Sequence, residues 1–234
     1  MDDDLAKVTK GQLTLADRRC ARRLQCEYGN QRGNRQPDVR YRVSNQIEHD
    51  VRLAHVDCVR PDPQRFRATD DLREEQRAEY DLFAQWYLTL FGAEAVRMVA
   101  EPGDDWVTPW PELGARLVGK QALRCEHADG RVELRLLEFD ERPTPSRLLD
   151  APAVRFALLR ARGACNGEVS IGVGNLRTGQ RAEQPVVFED AFAEAEAWLH
   201  DRVEIIRARI ANPEPVPGLE CGSCAYIAGC GAHR

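Results

Sequence analysis

The chain has 234 residues and a net charge of −5, from 33 basic and 38 acidic side chains. That length can bury a sizeable core in a single domain, and the acidic balance excludes a global field that would draw the whole protein to nucleic acid. No uninterrupted apolar stretch approaches membrane-spanning length, and the opening Met-Asp-Asp-Asp carries neither a basic nor an apolar leader region, so a cytoplasmic protein is expected.

Thr14 with Asp17 opens a helix expected to run to about Tyr28, with Gly29 beyond its end. Ala16, Cys20, Leu24 and Tyr28 recur every four residues and put Cys20 on its inner face. Arg18, Arg19, Arg22 and Arg23 flank that stripe. Ser44 caps an expected second helix to about Cys58, with Ile47, Val51, Ala54 and Cys58 on one face and Pro61 and Pro63 closing it. A third is expected from Thr69 to Phe91, ended by Gly92.

The period then changes to two. Val96, Met98 and Ala100 alternate in a first strand, Leu117 to Cys125 reads as a second, and Asp129-Gly130 turns the chain into a third from Val132 to Asp140. A helix from Ala151 to Arg162, a strand from Val169 to Val173 and a short strand from Pro185 to Phe188 follow. Asp190 caps a last helix to about Ala211, with Phe192, Ala195, Leu199, Val203, Ile206 and Ile210 as its apolar stripe. Strands followed by a crossover helix and a further strand indicate an α/β fold, a mixed central sheet flanked by helices. One domain is expected, made of a helical lobe (1–92), a sheet-bearing core (93–211) and a tail (212–234).

Charge is distributed unevenly. Residues 11–60 hold ten arginines against six acids, and residues 183–220 hold nine acids against three arginines. The tail reads Cys221-Gly222-Ser223-Cys224, then five residues, then Cys230. A C-x2-C pair bites one soft metal centre from a tight turn, and the third thiolate leaves a fourth to come from elsewhere in the chain. Pro213, Pro215, Pro217 and Gly218 lead into this segment, so ligation rather than a regular element is expected to hold it. The chain has eight cysteines, and in a reducing compartment such clustering points to metal rather than disulfides. Cys26, Cys58, Cys125 and Cys165 stand singly and are expected to be small buried hydrophobes.

Leu13-Thr14-Leu15-Ala16-Asp17-Arg18-Arg19-Cys20-Ala21-Arg22-Arg23 resembles the L-S-x-S-x-L…C-P-R-R opening helix of the iron–sulfur branch of the PD-(D/E)xK nuclease superfamily, and Pro213 to Cys230 is similar to its P-x-P…C-x2-C-x5-C tail. That branch includes RecB-like nucleases, AddB-type helicase–nuclease subunits and CRISPR-associated iron–sulfur exonucleases. The resemblance implies a [4Fe–4S] cluster on Cys20, Cys221, Cys224 and Cys230 that staples the chain's ends around the sheet. Tetrahedral zinc on the same four thiolates is the alternative. The resemblance also implies a path for single-stranded DNA, with Arg18, Arg19, Arg22, Arg23, Arg32, Arg35, Arg40 and Arg42 as phosphate contacts. Trp106 and Trp110 would stack on bases or pack their own loop.

In the superfamily, two carboxylates and a lysine converge at the ends of adjacent strands, and the acids hold one or two divalent cations that activate water. The G-x-x-D motif reads Gly119-Lys120-Gln121-Ala122, with alanine at the acid position. The acid-x-Lys motif reads Glu138-Phe139-Asp140, with a carboxylate at the lysine position. The Q-x-x-x-Y pair falls on Pro152 and Phe156. Only Glu138 and a helix histidine, His49 or the less well placed His55, remain. These departures imply a pseudo-nuclease: a DNA-binding or scaffolding subunit beside a helicase, a nuclease or a CRISPR-adaptation enzyme. Two alternatives stay open. Lys120 shares a strand face with Ala122, and with Glu138, Asp140 and Glu101 or His49 as Mg2+ or Mn2+ ligands it would make an active DNA exonuclease with a rearranged site. The other is a metal-stapled protein-interaction module that does not bind DNA.

Overall fold

The computed structural model describes residues 6–15, 39–55, 60–99, 107–119, 122–141, 146–211 and 221. The chain separates into two compact units, residues 37–104 with 120–193, and residues 1–36 with 105–119 and 194–234.

In the first of these units, helix α2 covers Val39–Ala54 and helix α3 covers Glu74–Phe91. Val43, Ile47, Val51 and Ala54 return every three or four residues along α2 and are buried. On α3 the stripe is Tyr80, Phe83, Ala84, Tyr87 and Phe91. The side chain of Gln76 closes the start of α3 by accepting from the Arg73 N–H at 2.9 Å. The helix stops at Gly92, where a Cβ would run into the Leu88 carbonyl oxygen. The two stripes meet in one core with Leu72, Val96, Leu123, Cys125 and Leu176.

The sheet against which this core packs has five strands: β2 (Val96–Val99), β5 (Leu123–His127), β6 (Val132–Glu138), β7 (Glu168–Asn175) and β8 (Gln180–Val187), in that spatial order. β2, β5 and β6 form an antiparallel meander, and the chain then passes through helix α4 (Pro152–Arg160) to lay β7 parallel beside β6. β8 returns antiparallel at the edge. A crossover helix is what a parallel neighbour requires, since a hairpin cannot make one.

The second unit holds a three-stranded sheet, ordered β1 (Ala6–Thr9), β4 (Ala115–Val118), β3 (Val107–Trp110), with β1 parallel and β3 antiparallel to β4. Helix α1 (Lys10–Leu15) follows β1. Helix α5 (Phe188–Ala211) contributes its stretch from residue 194 onward, with Ala195, Leu199, Val203 and Ile206 buried, and Arg207 donates to the Leu113 carbonyl.

The expected class therefore holds as an α/β fold with mixed sheets. Some expectations fail: Thr14 and Ser44, read as N-caps, lie within α1 and α2, which begin at Lys10 and Val39, and the strand expected from Leu117 to Cys125 is two strands, β4 and β5, in different sheets. Leu117, Leu123 and Cys125 keep the same alternation, so the pattern reads as continuous; alternation reports which face is buried and is silent on which strand supplies the hydrogen bonds. β8 is also longer than the expected Pro185–Phe188, because its charged residues interrupt the apolar signal. Among the described residues, no helix is long and apolar enough to cross a membrane.

Candidate functional site

The five-stranded sheet offers two different chemical surfaces. On β6, Glu133 and Arg135 lie two apart and so share a face, the one that meets α3. Both are fully buried. Arg135 donates from Nε to Glu133 Oε1 (3.0 Å), from Nη2 to Glu133 Oε2 (2.6 Å) and Glu94 Oε2 (2.5 Å), and from Nη1 to the Tyr87 hydroxyl (3.3 Å). Its guanidinium also sits 4.0 Å from the centre of the Phe91 ring, and that of Arg181 sits 4.7 Å from it.

The network continues in both directions. Tyr87 Oη lies 2.7 Å from His55 Nε2, and Glu133 Oε2 lies 3.0 Å from His127 Nε2. Arg181 binds Glu94 and donates to Glu183 Oε2 at 3.0 Å, while Ser170 donates to Glu183 Oε1 at 2.6 Å. Burial raises the pKa of Glu133, but the hydrogen bond and charge of Arg135 and the contact with His127 outweigh it, so the carboxyl titrates below its ordinary range. Nearby Cys125 is fully buried, and burial pushes its thiol up to about 12. It is the small hydrophobe expected of it.

Glu94, His127 and Glu133 each present a ligand atom, all within 4.8 Å of one another. A cation does not fit there, because Arg135 already donates to both carboxylates and places a fixed positive charge between them. The cluster is a buried ion network held together by its own arginine.

The opposite face carries the positions that the resemblance assigns to the nuclease motifs. Ala122 stands immediately before β5, and continuing the strand's alternation puts it on the same face as Arg124 and Glu126. Arg124 pairs with Leu134 on β6, so Leu134, Leu136 and Glu138 share that face. Glu138 and Asp140 are half-buried, and the end of β7 ties their backbone down. The Leu176 N–H donates to the Glu138 carbonyl (2.8 Å), and the buried Asn175 donates from Nδ2 to the Asp140 carbonyl (2.9 Å). Ala122 and Glu138 are thus brought to one face at the ends of adjacent strands. A divalent ion bound between them would find a methyl group where its second carboxylate ligand is needed, so the residues at these positions do not fit the ion.

Of the two histidine candidates, His49 is exposed on α2, and His55 is fully buried against Tyr87 in the other face's network. Lys120, Glu101 and Trp106 lie outside the described residues. Trp110 is fully buried on β3, which agrees with the packing alternative and leaves its ring unavailable to a base. Of the four candidate cluster cysteines only Cys221 is described, half-buried; Cys20, Cys224 and Cys230 lie outside the described residues, as do Arg18, Arg19, Arg22 and Arg23. Arg42 is exposed and pairs with Asp71 at 3.3 Å.

Sequence reading missed the ion network. Its trace is present all the same: Glu133 and Arg135 alternate with Val132, Leu134 and Leu136, a charged face on a strand whose other face is apolar. Such a face is ordinarily read as solvated. What buries it here is α3 together with Gly172 on β7, where a Cβ would come within 2.9 Å of Glu133 Cδ.

No family model matches the chain, and no curated protein matches it. Among solved structures, the crystal structure of SSO0001 is similar at 12% identity and a TM-score of 0.34, over 97% of this chain and 86% of that one. A likeness of that strength carries no argument about fold or function.

Proposed function

We propose that the chain is a catalytically degenerate relative of the iron–sulfur PD-(D/E)xK nucleases, serving as a DNA-binding or scaffolding subunit of a DNA-processing complex. One observation carries the reading. The meander β2–β5–β6 crosses through α4 to a parallel β7, and at the adjoining ends of β5 and β6 one face presents Ala122 and Glu138, with Asp140 two residues on. That arrangement supports a nuclease-like sheet whose metal-holding centre has lost an acid and gained a like charge in place of its lysine. Binding would then remain where hydrolysis does not.

Cys20, Cys221, Cys224 and Cys230 would hold the [4Fe–4S] cluster. When bound, such a cluster joins distant parts of the chain and contributes to folding free energy. Protein purified without oxygen should be brown and bleach on reduction, and a colourless protein carrying stoichiometric zinc would sink the assignment. For the hydrolytic centre, labelled single- and double-stranded DNA should survive incubation with Mg2+ or Mn2+ while still shifting on a native gel. Degradation abolished by Glu138→Ala would show an active enzyme and overturn the reading.

A further inference from the structure

We infer that the segment joining α2 to α3 takes nucleic-acid phosphates through Arg65 and Arg67. The inference rests on the DNA-binding reading and names where, and by what chemistry, one contact is made. Local sequence sets the geometry. Pro63–Arg65 form a short 3-10 turn, capped by Asp62, whose side chain accepts from the Gln64 N–H at 2.9 Å. Beyond the turn, burial alternates. Phe66 and Ala68 pack against the core, with the Phe66 ring 5.6 Å from that of Tyr87, while Arg65 and Arg67 are exposed. Gln46 of α2 clips this backbone in place: its Nε2 donates to the Arg67 carbonyl at 3.0 Å, and its Oε1 accepts from the Thr69 hydroxyl at 3.2 Å. Two guanidiniums are thus presented side by side from a backbone that is already ordered, so a ligand need fix only their side chains.

Charge makes the segment selective. Arg42 is answered by Asp71, Arg131 by Glu183, Arg147 by Asp150 and Arg177 by Glu79. Among the described residues, neither Arg65 nor Arg67 has such an acid. The carboxylates around them are committed elsewhere. Asp62 caps the turn, Asp50 accepts from the Tyr80 hydroxyl, and Asp71 pairs with Arg42 at 3.3 Å. Arg77 donates to the Asp70 carbonyl at 2.7 Å and to the Leu72 carbonyl at 2.9 Å, which sets one more positive charge beside Asp70 and Asp71. Residues 60–69 carry Arg60, Arg65 and Arg67 against Asp62, a local surplus of positive charge in a chain of net charge −5. A planar guanidinium with five donors forks onto phosphate oxygens better than a lysine does. Two of them along one segment suit a ligand with repeated phosphates, where each contact releases counterions.

The test uses the whole protein and a fluorescein-labelled single-stranded oligonucleotide, with anisotropy read over a range of salt concentrations in EDTA. Arg65→Gln with Arg67→Gln should weaken binding and flatten the plot of log affinity against log salt by about 1.4, at ~0.7 per lost contact. Arg65→Lys with Arg67→Lys should restore the slope, because the charges return. Arg147→Gln, which removes a guanidinium already paired with Asp150, should leave the slope unchanged. A Gln double variant with unaltered affinity and slope overturns the proposal. So does a slope lowered as much by Arg147→Gln as by either arginine alone, since net charge would then explain the loss. A labelled polyglutamate that binds through Arg65 and Arg67 where the oligonucleotide does not would make the segment a protein-docking surface and also overturn it. If binding survives the double variant but fails when Arg19, Arg22 and Arg23 are changed, the DNA-binding reading stands and this site falls. If the unaltered protein binds the oligonucleotide at no salt concentration, both fall.

Discussion

Two acid–arginine pairs on neighbouring strands make the same short pattern and meet opposite fates. On β6, Glu133 and Arg135 are two apart and face α3, where both are fully buried. On β5, Arg124 and Glu126 are also two apart but face the other way, where their side chains are 24% and 27% exposed. The strands supply equal chemistry; the covering element decides what it becomes. Under α3, where Glu133 and Arg135 are shut off from water, charge is acceptable only when paired, and Arg135 therefore answers to Glu133, Glu94 and Tyr87 together. On the open face, water shares the solvation and the same pair is free energetically to exchange partners.

The largest expected effect comes from breaking the buried pair on one side. Arg135→Met leaves Glu133 and Glu94 facing a thioether in an enclosed space, which should cost about 3–5 kcal/mol, a large part of a typical domain's stability. Urea denaturation measures it, and coupling gives the sharper test. Arg135→Met combined with Glu133→Gln should be less destabilised than Arg135→Met alone, because the uncompensated charge is gone. A double variant no better than the single one would mean that the arginine acts through packing on Phe91 rather than through charge.

Next in size is the space that admits the network. Gly172 lies on β7 where an added Cβ would collide with the Glu133 carboxylate, so Gly172→Ala should cost about 1–3 kcal/mol although alanine suits a strand better than glycine. The collision predicts that Gly172→Ala costs less in a Glu133→Ser background, where the offending side chain is short, than in the unaltered protein, and thermal unfolding of the two single variants and the double variant would reveal it. Gly172→Ala without loss of stability would show that the carboxylate can move aside.

How much of this was legible in the chain follows from the same contrast. Periodicity reports burial on one side of an element, so α2, α3, α4, α5 and the strands β2, β6 and β7 were readable from Ile47 and Val51, from Tyr80 and Phe83, or from Leu134 and Leu136. The partition of Leu117 to Cys125 between two sheets was not, because hydrogen-bond partners leave no mark on alternation. Ala122 and Glu138 could be placed because the motif reading ties them to strand ends. The ion network could not: the alternation of Glu133 and Arg135 with Leu134 and Leu136 looks the same whether water or a helix covers the charged face, and glycine at 172 on the neighbouring strand was a second, indirect trace.

Acid should separate the two faces without mutation. Glu133 has its folded pKa depressed, since Arg135 and His127 outweigh burial, and Glu183 is depressed as well, since Ser170 and Arg131 outweigh its burial. A depressed carboxylate adds stability that is fully present above its unfolded value, about 4.3, and is lost as pH falls through the lower folded value. The urea midpoint should therefore hold near neutrality and fall below about pH 4. Glu133→Gln should lower the midpoint at pH 7 and make the acid fall shallower, and an unchanged acid profile in that variant would remove Glu133 from the account.

The smallest effect should come from the exposed pair. Arg97 and Glu126 form a close ion pair, yet the Arg97 side chain is 56% exposed, and a double-mutant cycle of Arg97→Gln and Glu126→Gln should return only about 0.2–1 kcal/mol of coupling. Raising the salt should shrink that value further, whereas the cost of Arg135→Met should barely respond, because screening acts on charges that water reaches. The measurement thus tests the contrast between the faces and not the strength of one bridge. A salt-insensitive coupling above about 2 kcal/mol would mean that this face is also enclosed in the folded protein. The arginines of β2 and β5 would then belong to the architecture as firmly as Arg135 does.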